Sequence, residues 1–493
     1  MPARIAPVTA ARLTSRGTTP VRPDGAFVLY WMSAHRRLEW NQALQQALWW
    51  AEELARPLVV VETVHADQPY ASVRHFRFLI QGCAANQTAA AQLPLTYHPF
   101  VEAIPGTALD LVAALAGQAC LLIRDEFPHR FQRSLRAELD RRLSLAQVDV
   151  DANGIMPLAA TTRTYERAVD FRRCLQRGLP PHLLAPPLDA PALARAKVPR
   201  LAALPTDLTA RWPASDLVQL LAPGGLATLP IDQQVPAAPD IGGAAAARIA
   251  LDAFVDQRLD RYDLRNHPDD PVASGLSPWL AQGHVSAHQV ALAVLTHANW
   301  SPDRLATSAS GSKDGWWGCA PSIEAFLDEL ITWRELGHHH SQRVSDNDRF
   351  DTLPAWAQAT LAKHAADPRT MVYSPADLEA GRTHDPLWNA AQHQLRAEGR
   401  LHGYLRMLWG KWILGWSVDP RSAWDTALRL NDRWALDGGN PNSLSGVAWI
   451  FGRFDRPWAP QRPVFGQLRY MTSGSTVKKL HCRAYLARWN PVA

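Results

Sequence analysis

The sequence predicts two domains of different class, an α/β domain followed by an all-α domain, joined by a long proline-rich connector. Three observations carry this. Residues 27–160 alternate short apolar runs with stretches of 3.6-residue periodicity. Twelve of the 38 prolines fall between residues 180 and 239. From Ala244 onward amphipathic helical stretches follow one another without a competing strand series, and 15 of the 20 tryptophans lie beyond residue 247.

Residues 1–24 are rich in Ala, Arg and Thr, lack the apolar centre of a secretory signal, and read as a flexible leader. Residues 25–160 form the α/β domain. Its expected strands are FVLYW (27–31), PLVVVETV (57–64), LPLTYHPF (93–100) and ACLLIRD (119–125). QALQQALWWAEELA, VRHFRFLIQGCAANQTAAA and TALDLVAALAG supply the helices between them. Strand–helix alternation predicts a parallel sheet covered by helices. No GxGxxG follows the first strand, so the dinucleotide fingerprint is absent. Residues 161–243 read as an interdomain linker with one or two short helices. Residues 244–493 are helical, with stretches such as DPLWNAAQHQLRAEGRLHGYLRMLWGKWILGW and PRSAWDTALRLNDRW.

Composition narrows the function. In 493 residues, 47% are hydrophobic and 20% charged, which excludes a long disordered chain. No uncharged apolar run approaches the roughly 18 residues of a membrane-spanning helix. Five dispersed cysteines offer no CxxC metal pair and fit a reducing cytoplasm. A net charge of +5 permits a polyanionic partner without demanding one.

Five constellations stand out. Trp409, Trp412 and Trp416 share one helical face, with Trp388 one segment earlier. Spacing alone favours core packing, although close indoles also relay electrons to a redox cofactor. SGLSPWLAQGHVS (274–286) offers hydroxyls and free N–H groups at a helix start, suited to a phosphate or to a plain cap. In FLDELITWRELGHHH, Glu329 lies four residues before Trp333, either as a carboxyl and ring for a nucleobase or as a solvated acid beside a core indole. The consecutive His338–His340 point in different directions, which argues against a metal. LNDRWALDGGNPNSLSGVAWIFGRFDRPW either binds a polar ligand or turns the chain. Arg453, Arg456, Arg462, Arg469, Lys478, Lys479, Arg483 and Arg488 either contact phosphates or form a solvated surface.

Taken together, YWMSAHRRLEWNQAL, RYDLRNHPDDPVASGLSPWLAQGHVS, FLDELITWREL, THDPLWNAAQ, EGRLHGYLRMLWGKWILGW, LNDRWALDGGNPN and PVFGQLRYM resemble the class II cyclobutane pyrimidine dimer (CPD) DNA photolyases of the photolyase/cryptochrome superfamily. The match keeps its order from Phe27 to Met471 and is strongest from 262 to 471. The resemblance implies a Rossmann-like antenna-type domain and a helical domain that binds FAD and DNA. Light absorbed by reduced FAD would drive an electron into a dimer flipped out of UV-damaged DNA, splitting the ring.

Residue by residue, Tyr262, Ser274, Gly275, Leu276 and Ser277 match the segments holding the FAD phosphates, and Arg334 an arginine beside the cofactor. Arg406 and Asp437 match an ion pair packed on the flavin, and Asn431 the amide facing its N5. Glu329 matches the carboxyl that bonds the lesion. Trp333 and Trp449 match the walls of its pocket, and Met407 a further contact there. Trp388, Trp409 and Trp416 match the photoreduction route, with Trp409 nearest the flavin. Arg453, Arg456, Arg462, Lys478 and Lys479 are the expected DNA contacts. The resemblance also implies a monomer and allows an antenna chromophore, a deazaflavin or a folate, in the N-terminal domain.

The sequence departs from the pattern at GHHHSQ, FDRPW and TSGSTVKKL, near the expected DNA-facing rim, and at DEFPHRF in the N-terminal domain. Those departures keep a second reading open, a cryptochrome-like FAD photoreceptor without repair activity. A third is a helical nucleic-acid binder with no cofactor.

Overall fold

The computed structural model describes residues 5–490. A six-stranded sheet has the order β1-β6-β5-β2-β3-β4. The strands are β1 (Leu13–Arg16), β2 (Phe27–Met32), β3 (Leu58–Val64), β4 (Thr96–Val101), β5 (Ala119–Glu126) and β6 (Gln147–Asp151). All pairs are parallel except β1 on β6. The fold class is the expected one: a parallel sheet covered by helices, and a series of helices after it.

Residues 13–16, expected in a flexible leader, instead form an edge strand, with Leu13 opposite Val150. The short polar run QVDVD, which lacks a strong apolar signature, is the strand β6 that receives it. Every residue of β2, β3 and β5 is buried, as expected when helices cover both faces. Side chains alternate between two cores. Val28, Tyr30 and Met32 meet Leu44, Ala47 and Leu48 of α1 (Gln42–Leu54). Phe27, Leu29 and Trp31 meet Leu109, Val112 and Leu115 of α3 (Thr107–Ala116), which follows α2 (Val73–Ala90).

The strand order reverses between β2 and β5, the switch point where α/β sheets commonly take a ligand at the strand C-termini. Here the chain fills that place itself. Asp125 Oδ2 accepts the backbone N–H groups of Ser33, Ala34 and His35 at 2.9, 2.8 and 2.9 Å. Its Oδ1 accepts the Tyr30 hydroxyl at 2.8 Å. An internal carboxylate thus occupies the anion-binding nest, which accords with the missing glycine fingerprint.

The chain divides into two compact units that interleave in sequence: residues 1–162, 178–251 and 276–293, and residues 163–177, 252–275 and 294–493. This differs from a plain linker over 161–243. Leu193, Leu208, Trp212, Leu217, Leu226 and Ile231 each enter an apolar core of the α/β unit, so the proline-rich segment is bound to that unit along its length. Residues 163–177 belong to the helical unit, where Arg172 holds Asp328 through two bonds of 2.7 and 2.9 Å.

The helical unit uses one starting signal repeatedly. Helices Pro386–Glu398, Pro420–Trp434 and Pro441–Ile450 each place proline at the first helical position after a capping Asp385, Asp419 or Asn440. Each cap accepts two backbone N–H groups. The long stretch 385–416 is two helices. Gly399, at φ +67°, ends the first, and helix Gly403–Trp416 follows.

Candidate active site

Three helices of the helical unit come together because glycines let them. A Cβ on Gly337, in helix Arg334–Arg343, would lie 2.8 Å from Pro441 O and 2.9 Å from Ser445 Cβ. A Cβ on Gly410, in helix Gly403–Trp416, would strike the Ile450 side chain. Helix Pro441–Ile450 is therefore held closely on two sides.

At its far end stands Trp449. Its ring meets Trp333 edge-on, with centroids 6.1 Å apart and planes at 65°. Trp333 closes a π-helical turn, Asp328–Trp333, between helices Pro321–Leu327 and Arg334–Arg343. The sequence spacing implied an ordinary α-helix here; the wider π turn often marks functional sites. Glu329 lies in the same turn with its side chain 45% exposed, and Arg265 pairs with it at 3.3 Å. Burial pushes its carboxyl above the usual carboxylate range, Arg265 opposes and Asp328 adds. The carboxyl keeps access to solvent while the protein atoms packed round it raise its pKa. Arg265 also lies 4.8 Å over the ring of buried Tyr262.

At the near end Ser443 Oγ accepts from Asn431 Nδ2 at 2.6 Å, and the same amide donates to Asp432 at 2.8 Å. Asn431 is buried. Arg406 donates to Asn431 Oδ1 at 3.4 Å and to both oxygens of Asp437 at 3.0 and 3.2 Å. One guanidinium thus orients the amide while its charge is met by a carboxylate. Met407 is half-buried beside it in sequence, and Arg334 is half-buried after Trp333.

Trp388, Trp409 and Trp416 are each at most 1% exposed. Trp388 Nε1 donates to the Trp409 carbonyl at 2.9 Å, and its ring meets Trp416 edge-on at 5.5 Å. Trp409 Nε1 is satisfied by Gln392 at 2.8 Å. Trp388 thus touches the backbone of Trp409 and the ring of Trp416, and all three lie in the core.

Other expected residues are divided. Gly275, at φ +69°, belongs to the helical unit with Ser274, and a Cβ there would lie 2.5 Å from Arg400 Nη1. Leu276 is fully buried and, with Ser277, belongs to the α/β unit. Arg456 and Arg462 are exposed, as are Lys478 and Lys479 on helix Ser473–Lys479. Arg453 corrects the expectation of a surface DNA contact. It is 5% exposed and donates to His340 and to Thr352 O and Oγ1, at 2.7 and 2.8 Å for the latter two. Its interior partners give it a structural task.

Three residues escaped the sequence reading. Arg265, the partner of Glu329, sits inside RYDLRNHPDD without special spacing. Arg469, read only as part of a basic tail, lies 5.3 Å over Trp449 and 4.2 Å over Trp458 while pairing with Asp455 at 3.2 Å. Lys411, at 1% exposure, donates to the Ile450 carbonyl; a lysine amid Trp, Leu and Gly was the available signal.

No family model matches the chain. It is 33% identical over 477 residues to a deoxyribodipyrimidine photo-lyase of Methanothermobacter thermautotrophicus, covering 94% of this chain and 95% of that one. Among solved structures it resembles a class III photolyase from Agrobacterium tumefaciens, with a TM-score of 0.68 at 18% identity over 95% of this chain and 87% of that one. A Synechocystis cryptochrome gives 0.66 at 16% identity over 94% and 88%.

Proposed function

The chain belongs to the deoxyribodipyrimidine photo-lyase family of enzymes, and from that premise we propose that it is a class II CPD photolyase, acting on UV-damaged DNA under light with FAD as cofactor. The observation that supports this reading is the aromatic pair Trp333 and Trp449 at one end of helix Pro441–Ile450 and the oriented amide of Asn431 at the other, with Glu329 in the turn that Trp333 closes.

The donor set suits FAD. A flavin ring presents several acceptors and one polar edge, which Arg406, Asn431 and Asp437 match in chemistry. Tyr262, Ser274, Gly275 and Arg334 would hold the rest of the cofactor. When bound, reduced FAD supplies the photoexcited electron that opens the cyclobutane ring.

The chain's own residues do the positioning. Glu329, with its raised carboxyl, donates a hydrogen bond to a pyrimidine carbonyl in its protonated form. Trp333 and Trp449 stack on or flank the flipped bases, and Met407 fills beside them; such stacking contributes roughly 1–3 kcal/mol per base. Asn431 meets the flavin edge. Trp409, Trp388 and Trp416 carry reducing electrons inward. Arg456, Arg462, Lys478 and Lys479 neutralise phosphates in any sequence, so binding weakens with salt. Five unpaired cysteines suit a reducing cytoplasm.

The test is irradiation of FAD-loaded, reduced protein with an oligonucleotide carrying one CPD. Light-dependent loss of the dimer, absent in the dark, is expected. A fully reduced, folded protein that binds FAD and leaves the dimer intact would overturn repair in favour of a cryptochrome-like photoreceptor.

A further inference from the structure

Behind the loop that carries Arg265, residues from two distant segments meet. His267 and His481 have ring centroids 4.4 Å apart and planes at 34°. Asp270 Oδ2 lies 3.4 Å from His481 Nδ1. Ligand atoms of all three residues fall within 4.8 Å of one another. We propose that His267, Asp270 and His481 form a site for a divalent transition ion of the zinc class, which ties the last helix of the chain to the loop that holds Arg265.

The geometry fits such an ion. In a tetrahedral site with metal–ligand bonds of about 2.0–2.1 Å, neighbouring ligand atoms sit roughly 3.3–3.4 Å apart. The His481 Nδ1 to Asp270 distance is 3.4 Å, so a metal would replace the proton those atoms share. His267 Nδ1 accepts the His481 backbone N–H at 3.2 Å. That lone pair is therefore engaged, and a metal at this nitrogen would take the place of the hydrogen bond. Two imidazoles and one carboxylate form a common set for this class of ion, with water completing the shell. The other oxygen of Asp270 faces Arg261 at 3.8 Å, which holds the carboxylate from outside.

The second candidate of this kind, His65, Asp67 and Glu102, compares poorly. Glu102 already accepts the N–H groups of Ala66 and Ala108 at 2.9 and 2.8 Å. His65 is bonded to Thr63 at 2.9 Å.

The proposed ion would reinforce an existing joint. Asp269 caps the start of helix Arg483–Trp489 by accepting from Ala484 and Tyr485 at 3.1 and 2.8 Å, and donates its own N–H to His481 O at 3.0 Å. A metal between His267 and His481 would lock the same two segments a second time. Two residues back, Arg265 is the partner of Glu329, so the clamp stiffens the loop on which that contact depends.

The experiment is a zinc titration of the tag-free full chain by calorimetry and thermal melting, with His481→Gln and Asp270→Asn alongside. His481 is 71% exposed at its side chain, so its replacement leaves folding intact. One zinc should bind wild type at least ten times more tightly than either variant. At saturation the wild-type Tm should rise by about 2–4 °C, and this rise should be lost in the variants. Equal zinc binding and equal Tm shifts in wild type and His481→Gln, or no binding by wild type, would overturn the site. The result does not depend on the repair activity.

Discussion

Trp333 and Trp449 face each other edge-on with ring centroids 6.1 Å apart, although 116 positions separate them in the chain. Their meeting depends on Gly337, one turn beyond Trp333, where the backbones of two helices approach too closely for any side chain. A ring pair held this way keeps its separation without a ligand, so little ordering cost remains when a flat base enters.

Replacing either Trp333 or Trp449 with alanine should weaken binding of CPD-containing DNA by about 1–3 kcal/mol, a factor of roughly 5–150, while undamaged DNA binds as before. Fluorescence anisotropy on paired oligonucleotides measures this. An equal loss on both DNAs would move these indoles from lesion recognition to general packing.

Asp125 satisfies four donors at once, three backbone N–H groups and the Tyr30 hydroxyl. Asp125→Ala strands them all in a buried setting and should destabilise the chain by about 3–5 kcal/mol. Asp125→Asn keeps two acceptor directions on one oxygen and should cost less. Urea unfolding followed by circular dichroism ranks the variants. An alanine variant as stable as wild type would mean water takes over the nest.

The sequence displayed most of the fold because its signals were local. The runs at 27–31, 57–64, 93–100 and 119–125 each overlap an observed strand, since doubly buried strands must be apolar throughout. The proline-rich segment misled for the converse reason. Its prolines advertise loops, but the leucines between them that fill the sheet's cores carry no periodicity. Arg406, Asn431 and Asp437 were expected only through the resemblance, and the structure brings the three into contact. Arg265 and Arg469 escaped because an arginine's partner is set by tertiary approach. Arg453 was misassigned for the same reason: nothing local distinguishes an inward guanidinium from an outward one.

Lys411 gives a test with a definite sign. Burial lowers its ammonium to about 7, against the pull of Asp455 and with Arg469 adding to the shift. In the unfolded chain a lysine titrates near 10.4. Between these values the unfolded state binds more protons, so the lysine's contribution makes stability rise with pH from about 7 towards 10. Lys411→Met lacks this contribution. Urea midpoints measured from pH 6.5 to 9 should therefore climb more steeply for wild type than for the variant. Parallel curves would show that Lys411 stays charged across the range, held by Ile450 O and Asp455.

Glu329 carries the opposite sign. Its carboxyl is raised, so the folded chain binds its proton more readily than the unfolded chain does. Its contribution to stability is present below the ordinary carboxylate range and fades as pH rises through the elevated value. The same titration should govern repair, because only the protonated acid donates to a pyrimidine carbonyl. Wild-type repair efficiency at fixed light dose should therefore fall on the alkaline side of that value. Glu329→Gln keeps a donor at every pH and should flatten the profile while retaining much of the activity. Glu329→Ala removes the donor and should lower efficiency about tenfold or more at all pH values. Glu329→Gln still offers Arg265 an acceptor oxygen and Glu329→Ala does not, so Arg265→Ala measured alongside separates the bond to the lesion from the contact with Arg265. An Arg265→Ala variant as weak as Glu329→Ala would assign Glu329 to holding Arg265 rather than to the lesion.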